Sequence, residues 1–390
     1  MLSTLAVENY RSLRDLVLPL ARLTLVTGAN GSGKSSLYRA LRLLAEAARN
    51  GAVAALAREG GLPSTLWAGP EVVGRKVRAG RAPVQGTVRT KAVALRLGFA
   101  GDEFGYALDL GHPVPGDTLF NLDPEFKREC VWSGPALRRG TLLADRAGPV
   151  VRTRDDDGAW TDDRIRLTDS MIGEFADPRR CPELLTVRER IRSWRFYDHF
   201  RTDADAPARQ SRIGTRTPVL GSDGADLAAA LATIQEVGDA EALAAAVDDA
   251  FPRSRLDVAE VGGRLELRVH QHGLLRPLDA AELSDGTLRY LLWAAALLSP
   301  RPPELLVLNE PETSLHPDLL PALAGLIAVA AARTQIVVVS HAPALLRTVE
   351  AGADELGVPL ATLVLRKEVG ETVLDGQGLL DRPSWHWPTR

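Results

Sequence analysis

The sequence has few of the features that mark secreted, zinc-binding or membrane-embedded proteins. Its two cysteines, Cys130 and Cys181, supply neither a disulfide framework nor a zinc site, which favours a reducing compartment. The longest apolar run, residues 291–298, is far shorter than the ~18 residues that span a bilayer. The N-terminal stretch carries Glu8 and Arg11 among alternating apolar residues, unlike a signal peptide. These absences predict a cytoplasmic protein without a membrane segment.

An excess of one charge sign is also absent, and lysine is scarce. The chain has 47 basic and 50 acidic residues, a net charge of −3, and only five of the basic residues are lysine. Any surface for nucleic acid would therefore have to be local. One stretch without acidic residues, between Glu71 and Asp102, contains seven basic residues: Arg75, Lys76, Arg78, Arg81, Arg89, Lys91 and Arg96. It could bind a phosphate backbone, or it could be an arginine-rich solvated loop.

Hydrophobic periodicity predicts a mixed α/β fold. Short apolar, β-branched runs predict strands near both ends of the chain, at residues 2–7, 13–18, 23–27, 305–308, 336–339 and 363–366. Alternating residues predict antiparallel strands at 93–99, 106–110, 150–153 and 164–167. Helical spacing predicts helices at 35–50, 227–234, 240–251, 290–298 and 319–332. We therefore expect one α/β core built from both chain ends, with the middle of the chain as an insertion.

A glycine-rich turn between a predicted strand and a predicted helix carries the strongest local motif. Residues 28–35, GANGSGKS, match the P-loop pattern G-x-x-x-x-G-K-[ST]. The glycines allow backbone N–H groups to surround phosphates, and the helix N-terminus adds partial positive charge. Lys34 would reach the β- and γ-phosphates, and the Ser35 hydroxyl would bind Mg²⁺. The alternative, a chance glycine-rich turn, leaves the flanking strand and helix and the rare lysine unexplained.

A P-loop requires a second strand that ends in acidic residues, and residues 305–310, LLVLNE, provide such a strand. The first polar position of this strand is usually Asp, which holds a magnesium-bound water. Here it is Asn309, which can still accept a hydrogen bond but brings no charge. Glu310 would act as the general base that polarises the attacking water. Taken alone, the run could equally be a core strand that ends at the Pro311 turn.

Four further motifs, spread over nearly the whole chain, resemble those of ABC-type ATPases. Residues 283–287 (LSDGT) resemble the signature motif, residues 310–317 (EPETSLHP) resemble the catalytic glutamate and D-loop, and residues 340–341 (SH) resemble the switch histidine. The opening residues 8–13 (ENYRSL) resemble the start of the RecF, SMC and OLD branch. Three more segments resemble RecF-like bacterial predicted ATPases: residues 194–198 (WRFYD), 224–227 (GADL) and 385–387 (WHW).

This resemblance implies a P-loop NTPase fold of ABC-ATPase type, with a mixed-sheet core, an antiparallel β subdomain and a helical signature lobe. It implies three segments: 1–175 with the P-loop and an inserted β arm, 176–300 as the helical lobe, and 301–390 with the catalytic glutamate, D-loop and switch histidine. The implied catalytic residues are Glu310 and His341. The implied nucleotide-binding residues are Arg11, Asn30, Gly31, Ser32, Gly33, Lys34, Ser35, Ser36, Ser284, Asp285 and Gly286, and the implied metal ligands are Ser35, Asn309 and Gln85.

Two of these residues carry open alternatives. Asp285 stands where these ATPases usually have Gly, and its carboxylate would lie near phosphate charge unless it turned away. Gln85 is one candidate for the Q-loop glutamine that contacts the metal, and several strand registers fit.

The spacing of the motifs narrows the function that the resemblance implies. Lys34 and Ser284 lie 250 residues apart, farther than in transporter ATPase subunits, and the insertion lacks the heptads of an SMC arm. After His341 we expect only a strand, a loop and a short tail, and therefore an ATPase head without the acidic Toprim nuclease domain of OLD proteins.

The resemblance implies a head-to-tail homodimer that binds ATP and Mg²⁺, hydrolyses ATP and acts as an ATP-driven clamp in DNA repair or anti-phage defence. Its implied partners are DNA and a separately encoded effector, and no membrane. The alternative is a slowly or non-hydrolysing scaffold that regulates a separate effector, because Asn309 and Asp285 would weaken turnover.

Overall fold

The structure is a computed structural model, and it describes residues 1–49, 51–71, 77, 92, 94–154, 158–175, 177–378 and 380–390. The chain forms two compact units. The first unit comprises Met1–Ala21, Val26–Trp194 and Thr362–Arg390, and the second comprises Arg22–Leu25 and Arg195–Ala361. The boundary falls inside two strands, β3 (Leu23–Gly28) and β16 (Leu360–Glu368). Every described helix is too short or too polar to span a bilayer.

An eight-stranded antiparallel sheet dominates the first unit. Its strands are β1 (Leu2–Tyr10), β2 (Leu13–Pro19), β4 (Leu95–Gly101), β5 (Phe104–Gly111), β6 (Glu125–Ser133), β7 (Leu142–Ala147), β8 (Val150–Arg154) and β9 (Trp160–Arg164). They lie in the order β2, β1, β4, β5, β6, β7, β8, β9. The central strand β5 is buried on both faces, whereas the edge strand β9 is mostly exposed. The expected antiparallel β subdomain is therefore confirmed.

The strand predicted at residues 164–167 is wrong, because β9 ends at Arg164 and a turn follows. The physical reason is Arg146, which is fully buried and pairs with fully buried Glu129 (Nη1 to Oε2, 2.7 Å). A buried guanidinium needs acceptors for its remaining N–H groups. Arg146 finds them in the backbone oxygens of Arg166 (2.9 Å) and Asp169, so this segment folds over the guanidinium instead of extending the sheet.

The described part of the first unit contains the helices α1 (Lys34–Ala47), α2 (Ala52–Arg58), α3 (Gly61–Thr65), α4 (Met171–Glu174) and α5 (Pro182–Ser193). Helix α1 starts directly after the glycine-rich turn and buries Leu37, Leu41 and Leu44, the apolar face that its sequence period predicts. Later in the chain, β16 pairs in antiparallel fashion with β17 (Glu371–Leu374). The P-loop helix and the β17 hairpin thus belong to the same unit.

The second unit contains three neighbouring parallel strands, β10 (Arg195–Tyr197), β14 (Leu305–Asn309) and β15 (Gln335–Val339). Strands β14 and β15 are almost completely buried, as expected for parallel strands that are covered on both faces. In the register of the sheet, Tyr197 lies opposite Leu308, and Asn309 lies opposite Val339. The residues that follow the three strands therefore share one edge of the sheet, where ligands of α/β proteins commonly bind.

The rest of the second unit is mostly helical. It contains α6 (Leu227–Val237), α7 (Ala240–Ala250), α8 (Asp285–Leu297), α9 (Leu320–Arg333) and α10 (Pro343–Glu355), with a small antiparallel sheet of β11 (Arg255–Val261), β12 (Arg264–His270) and β13 (Leu278–Asp279). Helix α8 is buried on all sides from Thr287 to Leu297, so it forms the centre of this unit. Trp293 on α8 packs against Phe200 with ring centroids 5.0 Å apart.

The predicted fold class, a mixed α/β protein with an antiparallel β subdomain and a helical lobe, is confirmed. The helix predicted at residues 290–298 begins earlier, at Asp285, because the Ser284 side chain caps it by accepting a hydrogen bond from the Thr287 N–H. The division into segments 1–175, 176–300 and 301–390 stays a prediction.

Candidate functional site

Three glycines determine the backbone shape of the P-loop. Gly28, Gly31 and Gly33 have φ angles of 147°, 77° and 110°, which residues with a side chain rarely adopt. A Cβ atom on Gly28 would also lie 2.2 Å from the backbone oxygen of Leu365, and one on Gly33 would lie 2.2 Å from Thr372 Oγ1. Both the backbone angle and the available space therefore require glycine at positions 28 and 33.

Lys34 closes the P-loop from the inside. It is buried, and its Nζ donates hydrogen bonds to the backbone oxygens of Gly28 (2.6 Å) and Ala29 (3.1 Å). An ammonium group has three N–H donors, so the third can reach a phosphate oxygen. The Ser32 hydroxyl is also buried, and it has no hydrogen-bond partner among the described residues. Such a hydroxyl is a site that a ligand oxygen can satisfy.

The N-terminus of α1 supplies further donors. No side chain caps this helix, and its first turn contains no acidic residue, so its first N–H groups point toward the glycine-rich turn without a side-chain acceptor. Asn30, Gly31 and Ser35 are exposed and Ser36 is half-buried. This set of donors without an acid fits a nucleotide phosphate, and the exposed Ser35 hydroxyl fits a magnesium ion bound to that phosphate.

Thr372 on β17 supports the P-loop from behind, although the sequence does not single it out. Its hydroxyl donates a hydrogen bond to the backbone oxygen of Ser32 (2.7 Å) and lies 2.9 Å from Ser12 Oγ. Its backbone N–H donates to the backbone oxygen of Ser12 (2.8 Å). The opening motif ENYRSL therefore contributes to the P-loop through Ser12, by way of Thr372.

Arg11, predicted to bind nucleotide, forms an ion pair with Glu59. Its Nη2 and Nε lie 2.7 and 3.2 Å from Glu59 Oε2, and the Tyr10 hydroxyl donates to the same oxygen (2.7 Å). Burial, and then the hydrogen bond and charge of Glu59, raise the pKa of Tyr10. The contact of Arg11 with nucleotide stays a prediction.

Gln85 and most of the basic stretch lie outside the described residues; the basic residues concerned are Arg75, Lys76, Arg78, Arg81, Arg89 and Lys91. The remaining one, Arg96, is paired with two acids: its Nε lies 2.9 Å from Asp109 Oδ2, and its Nη1 lies 3.1 Å from Glu8 Oε2. Asp109 is fully buried and also pairs with Arg390 (2.7 Å). Arg96 thus belongs to an internal ion-pair network rather than to a phosphate-binding stripe.

The two predicted catalytic residues lie together in the second unit. Glu310 follows β14 with a φ of 48°, a backbone conformation that is uncommon for a non-glycine residue and clusters at functional sites. Its N–H donates to the backbone oxygen of Val339 (2.7 Å), which fixes the turn against β15. The partly exposed Glu310 carboxylate lies 3.5 Å from His341, between Oε1 and Nδ1. This separation allows an electrostatic contact but is long for a hydrogen bond.

Glu312 anchors the switch-histidine segment. Its Oε1 accepts hydrogen bonds from Ser340 Oγ (2.7 Å) and from the His341 N–H (3.2 Å), and it lies 3.5 Å from His341 Nδ1. The side chain is only 8% exposed, and its Oε2 has no partner among the described residues. The sequence identifies Glu312 only as part of the D-loop motif, because its anchoring role depends on strands β14 and β15 being neighbours.

Asn309, the last residue of β14, points its two amide atoms at different environments. Its Nδ2 donates to Asp198 Oδ1 (2.7 Å), whereas its Oδ1 is buried and has no partner among the described residues. An unsatisfied acceptor at this position fits a magnesium-bound water. The described residues contain no group of three or more His, Cys, Asp or Glu side chains that could hold a metal. An ion here would therefore also depend on nucleotide phosphates.

The signature motif forms the start of α8. Ser284 and Asp285 are exposed, and a Cβ atom on Gly286 would meet only the backbone oxygen of Ser314, at 3.9 Å. The carboxylate of Asp285 pairs with Arg209 (Oδ1 to Nη2, 2.7 Å). Asp285 is therefore neutralised, which answers the question that its departure from Gly raises.

Arg209 and Arg289 tie the signature helix to its surroundings. Arg209 also donates to the backbone oxygens of Leu283 (2.7 Å) and Thr202 (2.8 Å). Arg289, buried in α8, donates to the backbone oxygen of Thr313 in the D-loop (2.6 Å) and to that of Phe200 (2.9 Å). Burial lowers the pKa of Arg289. Neither arginine is distinguishable by sequence from the other arginines of this arginine-rich chain.

The P-loop, the start of α8 and the strand-end Glu310 beside His341 together resemble the motifs of ABC-type ATPases of the RecF, SMC and OLD branch. Residues 23–347 match the family model "AAA domain, putative AbiEii toxin, Type IV TA system". The chain belongs to this family, and the predicted resemblance is confirmed.

Several known proteins are similar to this chain. An OLD nuclease of Thermus scotoductus is 48% identical over 44 residues, which cover 11% of this chain and only 8% of that protein. The SMC head bound to the C-winged helix domain of ScpA shares 14% identity at a TM-score of 0.48, over 97% of this chain and 98% of that chain. The SMC head domain of Thermotoga maritima shares 14% identity at a TM-score of 0.44, over 97% of this chain and 99% of that chain. The Smc head domain bound to the C-terminal domain of ScpA from Pyrococcus furiosus shares 13% identity at a TM-score of 0.46, over 96% of this chain and 95% of that chain. These structural likenesses are too distant to assign a function.

Proposed function

We propose that this chain binds ATP with Mg²⁺ and hydrolyses ATP to ADP and phosphate. The observation that supports this most strongly is the P-loop. Its glycines have positive φ angles that residues with a side chain rarely adopt. The ammonium group of buried Lys34 keeps a third N–H donor, and the hydroxyl of buried Ser32 has no hydrogen-bond partner among the described residues. All these groups are donors, so an anion with several oxygen atoms, such as a triphosphate, would satisfy them together.

Glu310 would be the general base of this reaction. The water oxygen bonds to the γ-phosphorus, the bond from that phosphorus to the bridging oxygen breaks, and the proton of the water passes to the Glu310 carboxylate. His341, 3.5 Å from Glu310, would orient the water and contact the γ-phosphate. Mg²⁺, when bound, neutralises charge on the β- and γ-phosphates. The Ser35 hydroxyl would bind this ion.

The proposal includes a head-to-tail homodimer in which ATP acts as a clamp. Ser284 and Gly286 would contact the γ-phosphate bound by the opposite subunit, since the start of α8 is exposed and its neighbouring acid is neutralised by Arg209. Contacts from two subunits to one phosphate stabilise the closed dimer, and hydrolysis removes them. The buried Arg289 would transmit this change to the D-loop.

The biological output that we propose is DNA repair or anti-phage defence, with DNA or a separately encoded effector as the partner. Membership in a family described as a putative toxin of a toxin–antitoxin system favours defence. Steady-state ATPase rates with and without duplex DNA test this part. A DNA-independent rate together with no DNA binding would redirect the search to a protein effector.

Glu310→Gln tests the hydrolytic mechanism. Since Gln cannot accept the proton of water, we expect kcat to fall roughly 100- to 10,000-fold while the Kd for ATP is kept. ATP-bound dimers should then accumulate in size-exclusion chromatography. Glu355 is exposed on α10, and Glu355→Gln is therefore the matched control, which should behave as wild type. An unchanged kcat in Glu310→Gln would remove Glu310 from its role as base.

The uncharged Asn309 favours a second function, a slowly or non-hydrolysing scaffold in which ATP sets the oligomeric state and regulates an effector. In that case wild type and Glu310→Gln would show the same low rate, while ATP would still change the elution volume of both. A burst of phosphate release from wild type alone would exclude the scaffold.

A further inference from the structure

Two polar residues lie at the carboxyl ends of neighbouring parallel strands, at the same edge of the sheet: Asp198 directly after β10 and Asn309 as the last residue of β14. Tyr197, at the end of β10, lies opposite Leu308 of β14, so Asp198 comes level with Asn309. In this position, the side chain after one strand can contact the side chain at the end of the other. The hydrogen bond between them, at 2.7 Å, shows that it does.

The chemistry of the pair fixes the orientation of the amide. An ionised carboxylate only accepts hydrogen bonds, so the group of Asn309 that faces Asp198 must be the NH₂ group. The amide oxygen then points away from Asp198, and this is the buried Oδ1 that has no partner among the described residues. The hydrogen bond to Asp198 thereby fixes the orientation of the Asn309 amide, so that Oδ1 is an acceptor with a defined direction.

Asp198 also brings the charge that Asn309 lacks. Its side chain is exposed, and none of the Lys or Arg side chains in the described part of the chain forms an ion pair with it. Arg201 and Arg209, which lie close to Asp198 in the sequence, form ion pairs with Asp203 (2.7 Å) and Asp285 (2.7 Å), respectively. The negative charge beside Asn309 is therefore not cancelled by a described basic residue.

We propose that Asp198 and Asn309 together replace the single aspartate that usually ends this strand: Asn309 supplies the acceptor for the magnesium-bound water, and Asp198 orients Asn309 and supplies the negative charge. Asp198 is thus a positioning residue for the metal site. This inference rests on the proposed nucleotide site. It also separates two properties, charge and acceptor direction, that one carboxylate otherwise combines.

Substitution of one partner and exchange of both test the pair. Three variants serve: Asp198→Asn, Asn309→Asp and the double exchange, which carries both changes and keeps the total charge. The matched control is Asp203→Asn, which removes one exposed carboxylate of the same unit. The readout is the affinity for Mn²⁺, measured by loss of the free-ion EPR signal, with a saturating non-hydrolysable ATP analogue. Binding of a fluorescent ATP analogue in EDTA reports nucleotide affinity without metal.

We expect Asp198→Asn to weaken Mn²⁺ binding roughly 10- to 100-fold, the usual effect of losing a partner that orients a metal ligand. Asn309→Asp alone should not improve on wild type, because it loses the N–H donor and places two carboxylates at hydrogen-bond distance. The double exchange should restore the affinity, since the amide introduced by Asp198→Asn can donate a hydrogen bond to the carboxylate introduced by Asn309→Asp. Nucleotide affinity in EDTA should be similar in all variants.

Equal Mn²⁺ affinity of Asp198→Asn and Asp203→Asn would overturn the inference, and so would a fall in melting temperature without a change in metal affinity. If Asp198→Asn does not fold, the double exchange still decides, because it keeps the hydrogen bond and must bind Mn²⁺ like wild type. A wild-type protein that binds no nucleotide in either condition would instead overturn the proposed function, and the inference with it.

Discussion

Substitution of Thr372 removes a support of the P-loop without changing any residue that is predicted to bind nucleotide. Thr372→Val keeps the shape of the side chain but removes the hydrogen bonds to the Ser32 backbone oxygen (2.7 Å) and Ser12 Oγ (2.9 Å). Each bond contributes about 1 kcal/mol, and a buried acceptor left without a partner brings the total to about 1–3 kcal/mol. Because Ser32 belongs to the loop itself, this free energy disfavours the ordered loop.

A less populated ordered loop weakens nucleotide binding by the same factor. A loss of 1–3 kcal/mol corresponds to an increase in the Kd for ATP of about 5- to 150-fold. Isothermal titration calorimetry with ATP and Mg²⁺ measures this directly. Thr372→Ser retains the hydroxyl and should keep wild-type affinity. Thr186→Val removes a threonine hydroxyl from the exposed face of α5 in the same unit, and should also leave the Kd unchanged. Wild-type affinity in Thr372→Val would refute the idea that β17 holds the loop in its binding conformation.

Two further predictions concern the signature motif. Ser284→Arg should lower kcat roughly 100-fold by blocking closure of the dimer, while the Kd for ATP stays unchanged; a wild-type kcat would replace the composite site by a self-contained one. Arg209→Met should lower kcat roughly two- to fivefold, because it frees the partly exposed Asp285 carboxylate near phosphate charge. Adding Asp285→Gly should recover the lost rate at saturating ATP, and a double variant as slow as Arg209→Met would assign Arg209 a purely structural role.

The P-loop could be predicted from the sequence because its shape is a local property of the chain. Glycines at positions 28, 31 and 33 are needed for backbone angles that these residues set themselves, and Lys34 bonds to oxygens only five and six residues away. The same holds for the cap at Ser284, which acts within one helical turn. Local rules apply wherever both partners of an interaction lie in one short segment.

The partners of these motifs could not be predicted, because they depend on tertiary register. Asp198 reaches Asn309 only because β10 pairs with β14, and Glu312 reaches Ser340 only because β14 pairs with β15. The sequence indicates that the Asp285 carboxylate would lie near phosphate charge unless it turned away, but it does not indicate that Arg209, one of many arginines, pairs with it. The strand predicted at 164–167 is wrong for the same kind of reason, since the buried Arg146 lies outside that segment.

The hydrogen bond from Thr372 to Ser32 joins residues that are 340 positions apart in the chain. Ribosomes add about 5–20 residues per second, so the P-loop emerges roughly 20–70 s before the residue that supports it. During synthesis the residues of the loop and of helix α1 are therefore made before the hydroxyl donor of Thr372 and before the hairpin that carries it. Closing such a distant contact is entropically unfavourable and comes late in folding. ATP binding competence would thus be one of the last properties that a newly made chain acquires.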